Sequence, residues 1–359
     1  MYSARLSLFA AIAGVILVAL PAANVASRAV IGAGLMPDEL RDLWSLDRIE
    51  GNLGYLAMTR LDRSLFPGRV RAGRDGYLFL GDDDGAVMAK ATGTWPVPEG
   101  LVAAQAEQLT RVQARVEGSG ARFLAVIAPN KHSIYPEMLP EDAAPAPRTV
   151  TDDLAEATVA RDVPLLDLRG ALRSAKDDVQ AYMFTDTHWT RAGAAASYDA
   201  IMARLGAETV EYDLERISIP AGDLTRLLKM QALYPADSDT DYRIDFAASP
   251  EICAAKIGLV SGEEGPCEPH GTAEISAMQK VMRVSRNAAA PNPETVLMLC
   301  DSFCTASSAL FNASFAELYR VHWKFIDDAA LDSYLSRLDP DIVILQMVER
   351  DALSLGLGR

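Results

Sequence analysis

From residue 99 onward the chain alternates two hydrophobic patterns. Short runs of consecutive apolar residues, as in strands covered on both faces, are followed by segments with an apolar position every three or four residues, as in helices with one buried face. The runs lie at 122–128, 163–168, 295–300, 319–325 and 341–347; helical spacing fills 99–117, 191–205 and 329–338, and the stretch after Cys304 suits a further helix. Thr190 is placed to cap the helix that starts at Arg191. Ahead of this part, Gly73-Arg74-Asp75-Gly76-Tyr77-Leu78-Phe79-Leu80-Gly81 reads as a turn entering an aromatic-rich strand. Repeated strand–helix units predict an α/β fold with a mostly parallel sheet and helices on both faces. Residues 206–290 break the rhythm. They are polar, with few clear helices, and are predicted to form an insertion on the core that carries substrate contacts or a lid; Gly222-Asp223-Leu224 lies near its start.

The first residues follow a different rule. Arg5 precedes a nearly unbroken apolar run over residues 6–20. That pattern predicts either a secretory signal, with Val25-Ala26-Ser27 as a cleavage site, or, extended through Ala26, an uncleaved membrane anchor. Both place the rest of the chain outside the cytoplasm. The expected division is residues 1–27 as signal or anchor, 28–70 as a linker with a short amphipathic helix around Asp38 to Leu46, and 71–355 as the folded domain. Across 359 residues the net charge is −15, which argues against a nucleic-acid binder, since such proteins present a basic face. Of the four cysteines, Cys253 and Cys267 flank a Gly-rich loop and are expected to pair in an exported protein. Cys300 and Cys304 are expected as two buried free thiols. No metal-ligand spacing is present, and neither a metal nor a soluble cofactor is expected.

Candidate chemistry gathers where apolar runs end, because open α/β sheets place their sites at the carboxyl ends of strands. One run ends in Pro129-Asn130-Lys131-His132, and another in Cys300-Asp301-Ser302-Phe303. Asp301 and Ser302 suit a helix cap. They equally place a serine hydroxyl before the backbone N–H groups of a helix start, which stabilise a developing oxyanion. A serine needs a base to become a nucleophile. Only four histidines are present, and His188 is the one placed beside a carboxylate, Asp186, just before a predicted helix. On an extended segment residues i and i+2 share a face, so Asp186 would orient one ring nitrogen and leave the other for a hydroxyl proton.

These residues resemble the AlgJ/AlgX-type alginate O-acetyltransferases, which carry an SGNH-hydrolase-like domain. The likeness rests on Gly73-Arg74-Asp75-Gly76-Tyr77-Leu78-Phe79, Pro129-Asn130-Lys131 with Tyr135-Pro136-Glu137, Asp186-Thr187-His188-Trp189-Thr190, Asp301-Ser302-Phe303, and the tail from Pro340-Asp341 to Glu349-Arg350. It implies an SGNH-hydrolase-like, flavodoxin-like sheet in permuted order, since ordinary SGNH hydrolases carry the serine first and the Asp/His pair last. It also implies Ser302 as nucleophile, His188 as base and Asp186 as orienting carboxylate, with Asn130, Lys131, Trp189 and Arg350 expected to bind substrate. The implied function is periplasmic O-acetylation of an exopolysaccharide, alginate or similar, with the acetyl group delivered by a membrane-embedded O-acyltransferase and the inner membrane reached through the N-terminal segment. The alternatives are a carbohydrate esterase with the same triad and a non-catalytic polysaccharide-binding or assembly protein. One departure stands out: Cys300 occupies the place of the family's glycine.

Overall fold

The structure, a computed structural model, describes residues 2–32, 36, 39–276 and 280–354; of residues 2–13 and 15 the backbone alone is described. Asp38, and residue 355 at the expected domain end, lie outside the described residues. Among the described residues the strands are β1 (Val70–Ala72), β2 (Leu78–Leu80), β3 (Arg122–Ala128), β4 (Leu165–Asp167), β5 (Tyr212–Ile219), β6 (Asp239–Phe246), β7 (Cys253–Gly258), β8 (Glu268–Pro269), β9 (Val281–Arg286), β10 (Asn292–Cys300), β11 (Phe315–His322) and β12 (Ile342–Val348). The helices are α1 (Tyr2–Val30), α2 (Leu46–Leu61), α3 (Val87–Ala91), α4 (Leu101–Gly118), α5 (Lys131–Ile134), α6 (Val150–Val159), α7 (Arg169–Ala175), α8 (Arg191–Leu205), α9 (Asp223–Leu227), α10 (Ser308–Ser314) and α11 (Asp328–Leu338).

The apolar runs become one sheet in the order β4-β3-β12-β10-β11-β9-β7-β8. Its first five strands are parallel, with Leu299 beside Leu345 and Cys300 beside His322. Successive side chains on a strand point to opposite faces, so each run feeds two cores. Leu124, Val126, Met298 and Ile344 join α7, α8 and α10 on one face. Phe123, Ala125, Leu297, Leu345 and Met347 join α4, α6 and α11 on the other. Both faces are covered, as the uninterrupted apolar runs require.

Two expectations need correction. The segment 206–290 is not wholly an insertion: β7 and β9 pair antiparallel and extend the sheet beyond β11. Their alternating burial lacks the continuous apolar run that marks the parallel strands. The β5–β6 hairpin and α9 do stand apart from that sheet. The run at 319–325 begins earlier, as β11 from Phe315, and its last three residues form a 3-10 turn.

Residues 28–70 are more than a linker. Helix α2, capped by Ser45 Oγ accepting from Arg48 N–H at 3.2 Å, packs on the segment after α9. A side chain at Gly51 would sit 2.1 Å from the Lys229 carbonyl oxygen, so only glycine allows this approach. Lys229 pairs with Asp47 and Glu50 of α2 at 2.8 and 2.7 Å. Met58, Val70, Leu80, Leu224 and Met230 close a third apolar cluster between these parts. Within α1, Asn24 donates to the Leu43 carbonyl at 2.8 Å and Asn52 donates to Ser27 Oγ at 2.8 Å, joining the end of α1 to α2. Among the described residues no helix is long and apolar enough to cross a membrane.

Buried polar groups tie the strand ends together. His132 is 3% exposed and donates from Nε2 to the Leu80 carbonyl at 3.0 Å. Burial pulls its pKa down to about 3. The unfolded chain binds this proton near pH 6.5 and the folded chain does not, so the stability His132 contributes is complete above about pH 6.5 and is lost as pH falls toward 3. We expect His132→Phe to flatten this part of the stability profile by up to about 1.4 kcal/mol per pH unit. Urea unfolding of both proteins from pH 7 to pH 4 measures it, and parallel profiles would contradict the assignment.

Candidate active site

Strand β10 ends at Cys300, and the chain turns sharply through Asp301 into a short 3-10 turn at Ser302–Cys304. Asp301 fixes this turn. Its Oδ1 accepts from the Phe303 N–H at 3.0 Å and its Oδ2 accepts from the Val348 N–H at 2.6 Å, tying the turn to the end of β12. The capping role expected of Asp301 is therefore real, and it frees Ser302 for other work. Cys300 and Cys304 are disulfide-bonded, which corrects the expectation of two free thiols. A strand end followed by a tight turn brings their Cα atoms to 6.1 Å, within disulfide reach. The expected Cys253–Cys267 bridge is present too, across the ends of β7 and β8. With no glycine at position 300, the turn holds its shape through these bonds.

The second half of the site is the loop between α7 and α8. The Asp239 carboxylate accepts from the N–H groups of Phe184 and Thr185 at 2.8 and 2.7 Å and from the Thr185 hydroxyl at 2.5 Å. From behind, Lys131 Nζ donates to the carbonyls of Leu78, Met183 and Phe184 at 2.7 to 2.9 Å. Thr190 then caps α8, accepting from the Gly193 N–H at 3.1 Å. Held this way, the loop presents His188 to Ser302.

The geometry is continuous. His188 Nε2 lies 2.8 Å from Ser302 Oγ, and Nδ1 lies 2.7 Å from Asp186 Oδ1. Residues 114 positions apart are thus in direct contact. Asp186 Oδ1 also accepts from the His188 N–H at 3.0 Å, and Oδ2 accepts from the Asp223 N–H at 2.8 Å. Burial raises the Asp186 carboxyl, but the His188 hydrogen bond and charge and these backbone donors outweigh it and hold the group at about 2. Burial lowers His188, and the Asp186 hydrogen bond and charge, joined by the Asp223 charge, lift it above the ordinary histidine value against an opposing Arg350. An ionised Asp186, an imidazole with raised basicity and a serine hydroxyl in line can remove the serine proton and store it on His188.

An open cavity of about 350 Å³ lies beside His188. It is lined by Thr187, His188, Asp223, Arg226 and Leu227 together with Leu80, Asp84 and Arg350. Arg350 stands over the Phe303 ring at 5.7 Å, and Asn130 Oδ1 accepts from its Nη1 at 3.4 Å. Asn130 and Arg350 therefore face a recess next to the cavity. The other two residues expected to bind substrate do not reach it as ligands. Lys131 is 2% exposed with its ammonium donors engaged by three carbonyls, and Trp189 is 1% exposed with its indole N–H on the Phe303 carbonyl at 2.9 Å. Both brace the site from inside. A lysine directly after a strand end looks like a ligand in the sequence; the carbonyls it serves lie about 50 residues away.

The residues that sequence reasoning left without a role are Gly222 and Asp223. A side chain at Gly222 would meet the Asp186 carboxylate at 2.5 Å, so a glycine is required there. Among the described residues, Asp186, His188 and Asp223 are the one group of three whose potential ligand atoms fall within 4.8 Å of one another. All four of their carboxylate oxygens already accept hydrogen bonds from this loop or from the Asp223 N–H.

A largely parallel sheet with a serine at one strand end and an Asp-x-His pair reaching it from a loop defines an SGNH-hydrolase-like protein. Residues 70–245 match the family model described as "SGNH hydrolase-like domain, acetyltransferase AlgX". Over these residues the chain is similar to the AlgJ/AlgX-type family. It is 32% identical over 180 residues to "Probable alginate O-acetylase AlgJ" of Pseudomonas aeruginosa, covering 47% of this chain and 40% of that protein. Against the protein of the same name from Pseudomonas syringae pv. tomato the identity is 29% over 198 residues, covering 51% and 48%. The chain thus spans about half or less of the length of these relatives. Among solved structures, a DHHW family protein from Eubacterium siraeum matches with a TM-score of 0.57 at 17% identity, over 79% of this chain and 93% of that one. That likeness concerns the fold. Asp186, His188 and Asp223 fall inside the family match, and Ser302 lies beyond it.

Proposed function

We propose that this protein is a periplasmic O-acetyltransferase that acetylates an exopolysaccharide, alginate or an alginate-like polymer, through an acetyl-Ser302 intermediate. The observation that carries the reading is the unbroken contact from Asp186 through His188 to Ser302 Oγ, beside an open cavity. Ser302 Oγ attacks the carbonyl carbon of an acetyl donor, and its proton passes to His188 Nε2. The leaving group takes that proton as its bond to the acetyl carbon breaks. A sugar hydroxyl then gives its proton to His188 and attacks acetyl-Ser302, and the proton returns to Ser302 Oγ as the ester transfers. Asp186 holds the imidazole tautomer throughout. Within the turn the Phe303 and Cys304 N–H groups already donate to Asp301, so the Ser302 N–H is the oxyanion donor the turn supplies.

A net charge of −15 opposes a polyuronate, but Arg226 and Arg350 put two cations into the cavity wall where an acidic sugar would lie. The names of the relatives favour alginate as acceptor. The donor would be a membrane-embedded O-acyltransferase, with the N-terminal segment directing the chain to the inner membrane. Water in the same cavity would make the protein an esterase, and one experiment separates the two. The purified protein is incubated with 4-nitrophenyl acetate, with and without oligomannuronate, and acetylated sugar and free acetate are quantified by mass spectrometry. We expect acetylated sugar to exceed acetate, with an acetyl group trapped on the Ser302 peptide when acceptor is withheld. Acetate alone would establish an esterase, and no turnover with any donor would leave a polysaccharide-binding protein.

A further inference from the structure

Asp223 is a second carboxylate at the same ring nitrogen that Asp186 serves. Its Oδ2 lies 3.6 Å from His188 Nδ1. Both of its oxygens accept from Thr187, Oδ1 from the N–H at 2.8 Å and Oδ2 from the hydroxyl at 2.6 Å. With its proton directed to Asp223, the Thr187 hydroxyl turns a lone pair toward Nδ1, 3.2 Å away. The Asp223 N–H meanwhile fixes Asp186 Oδ2. The segment is pinned at both ends: the Gly222 N–H donates to Thr185 Oγ1 at 2.8 Å and the Leu224 N–H to the Thr185 carbonyl at 3.1 Å.

We infer that Asp223, together with Thr187, is a positioning residue for His188, a second carboxylate arm that keeps the imidazole aligned on Ser302 and stabilises it once it has taken the serine proton. The inference rests on the reading of His188 as the base for Ser302. When that proton reaches Nε2, the ring becomes a cation whose Nδ1–H lies between two carboxylates and a hydroxyl oxygen. Asp186 makes the short bond at 2.7 Å, and Asp223 adds charge at longer range without competing for that proton. The other charged groups around the ring are Arg350, which opposes its protonation, Arg226 and Asp84 on the cavity wall, and Lys131 behind the loop. Burial and the neighbouring Asp186 push the Asp223 carboxyl up, as expected for two carboxylates sharing one histidine.

A purely structural Asp223 would affect stability and leave the titration of His188 alone, so the test reads that titration. The His188 imidazole signals are followed by NMR across pH in the wild type, Asp223→Asn and Asp223→Glu. We expect the midpoint to fall by about one pH unit in D223N, as for loss of an opposite charge at this range, and to return most of the way in D223E. The acid limb of kcat/KM should move in the same direction, since a base that is easier to deprotonate stays active at lower pH. At the optimum, kcat should fall about tenfold with the KM for 4-nitrophenyl acetate unchanged. An unmoved midpoint in folded D223N overturns the inference. If D223N does not fold, Thr187→Val carries the test: both carboxylates remain but the bridging hydroxyl is gone. A several-fold loss of kcat with the midpoint lowered supports the inference, and wild-type values for both overturn it. The titration needs no turnover. Failure of the acetyl-transfer reading would leave an inactive wild type whose midpoint still responds to D223N; failure of this inference would leave an active enzyme whose midpoint does not.

Discussion

Replacing Ser302 by alanine is expected to lower acetyl-transfer turnover by roughly 10³-fold or more, His188→Ala to do the same, and the double variant to be little worse than either. The non-additivity follows from the geometry. With Nε2 at 2.8 Å from Oγ, every proton His188 moves serves the making or breaking of the acetyl-Ser302 ester; once the hydroxyl is absent, removing the imidazole takes away nothing more. Ser302 is also only partly buried and its turn is fixed by Asp301, so the alanine variant keeps the fold. The measurement is burst and steady-state release of 4-nitrophenol from 4-nitrophenyl acetate, with intact-protein mass spectrometry for the acetyl adduct. If folded S302A forms the adduct and turns over like the wild type, Ser302 is not the nucleophile.

The second large effect belongs to Asp186→Asn, for which we expect a loss of about 10²- to 10⁴-fold in kcat. An asparagine there has one acceptor oxygen, which can face either the His188 N–H and Nδ1 or the Asp223 N–H while its amide N–H group faces the other, and it loses the charge that holds the imidazole tautomer. The carboxyl sits near 2 in the folded protein, so throughout the neutral range the variant removes a full negative charge. The Asp223 carboxylate at 3.6 Å supports the ring only in part, which sets the expected loss below that of S302A at its mildest. Steady-state kinetics between pH 6 and 9 decides it. A D186N protein within threefold of wild type would mean that Asp223, and not Asp186, is the principal partner of His188.

Much of this site was legible in the chain because its signals are local. The runs at 122–128, 295–300 and 341–347 are continuous apolar stretches, and each became a central strand of the sheet. The helix at 191–205 begins at the threonine expected to cap it. The i, i+2 spacing did mark Asp186 and His188 as partners, although they meet across a bent segment, with Asp186 Oδ1 accepting from the His188 N–H, and not along an extended one. What stayed hidden depends on partners distant in sequence. Asp223 gains meaning from Thr187, 36 residues away, and no local pattern marks it. Lys131 stands beside a strand end like a ligand, but the carbonyls of Leu78, Met183 and Phe184 surround its charge. Strands β7 and β9 bury alternate residues at the antiparallel side of the sheet, so their polar positions read as loop. Cys300 and Cys304 look like two isolated core thiols until the turn between them is built.

The seat of α2 on Lys229 bears on what counts as the minimal working unit. The cavity wall formed by Asp223, Arg226 and Leu227 belongs to a five-residue helix, too short to hold itself. Its footing is the carbonyl of Lys229 against Gly51, the ammonium of Lys229 against Asp47 and Glu50, and the apolar cluster that Met58 shares with Leu224 and Met230. All four of these supports from α2 precede residue 70, where the family match begins. A polypeptide that began at residue 70 and kept the rest of the chain would therefore carry every atom of the Asp186–His188–Ser302 line and still lack the foundation of the wall beside it. In this protein the boundary of sequence likeness and the boundary of structural self-sufficiency fall at different places.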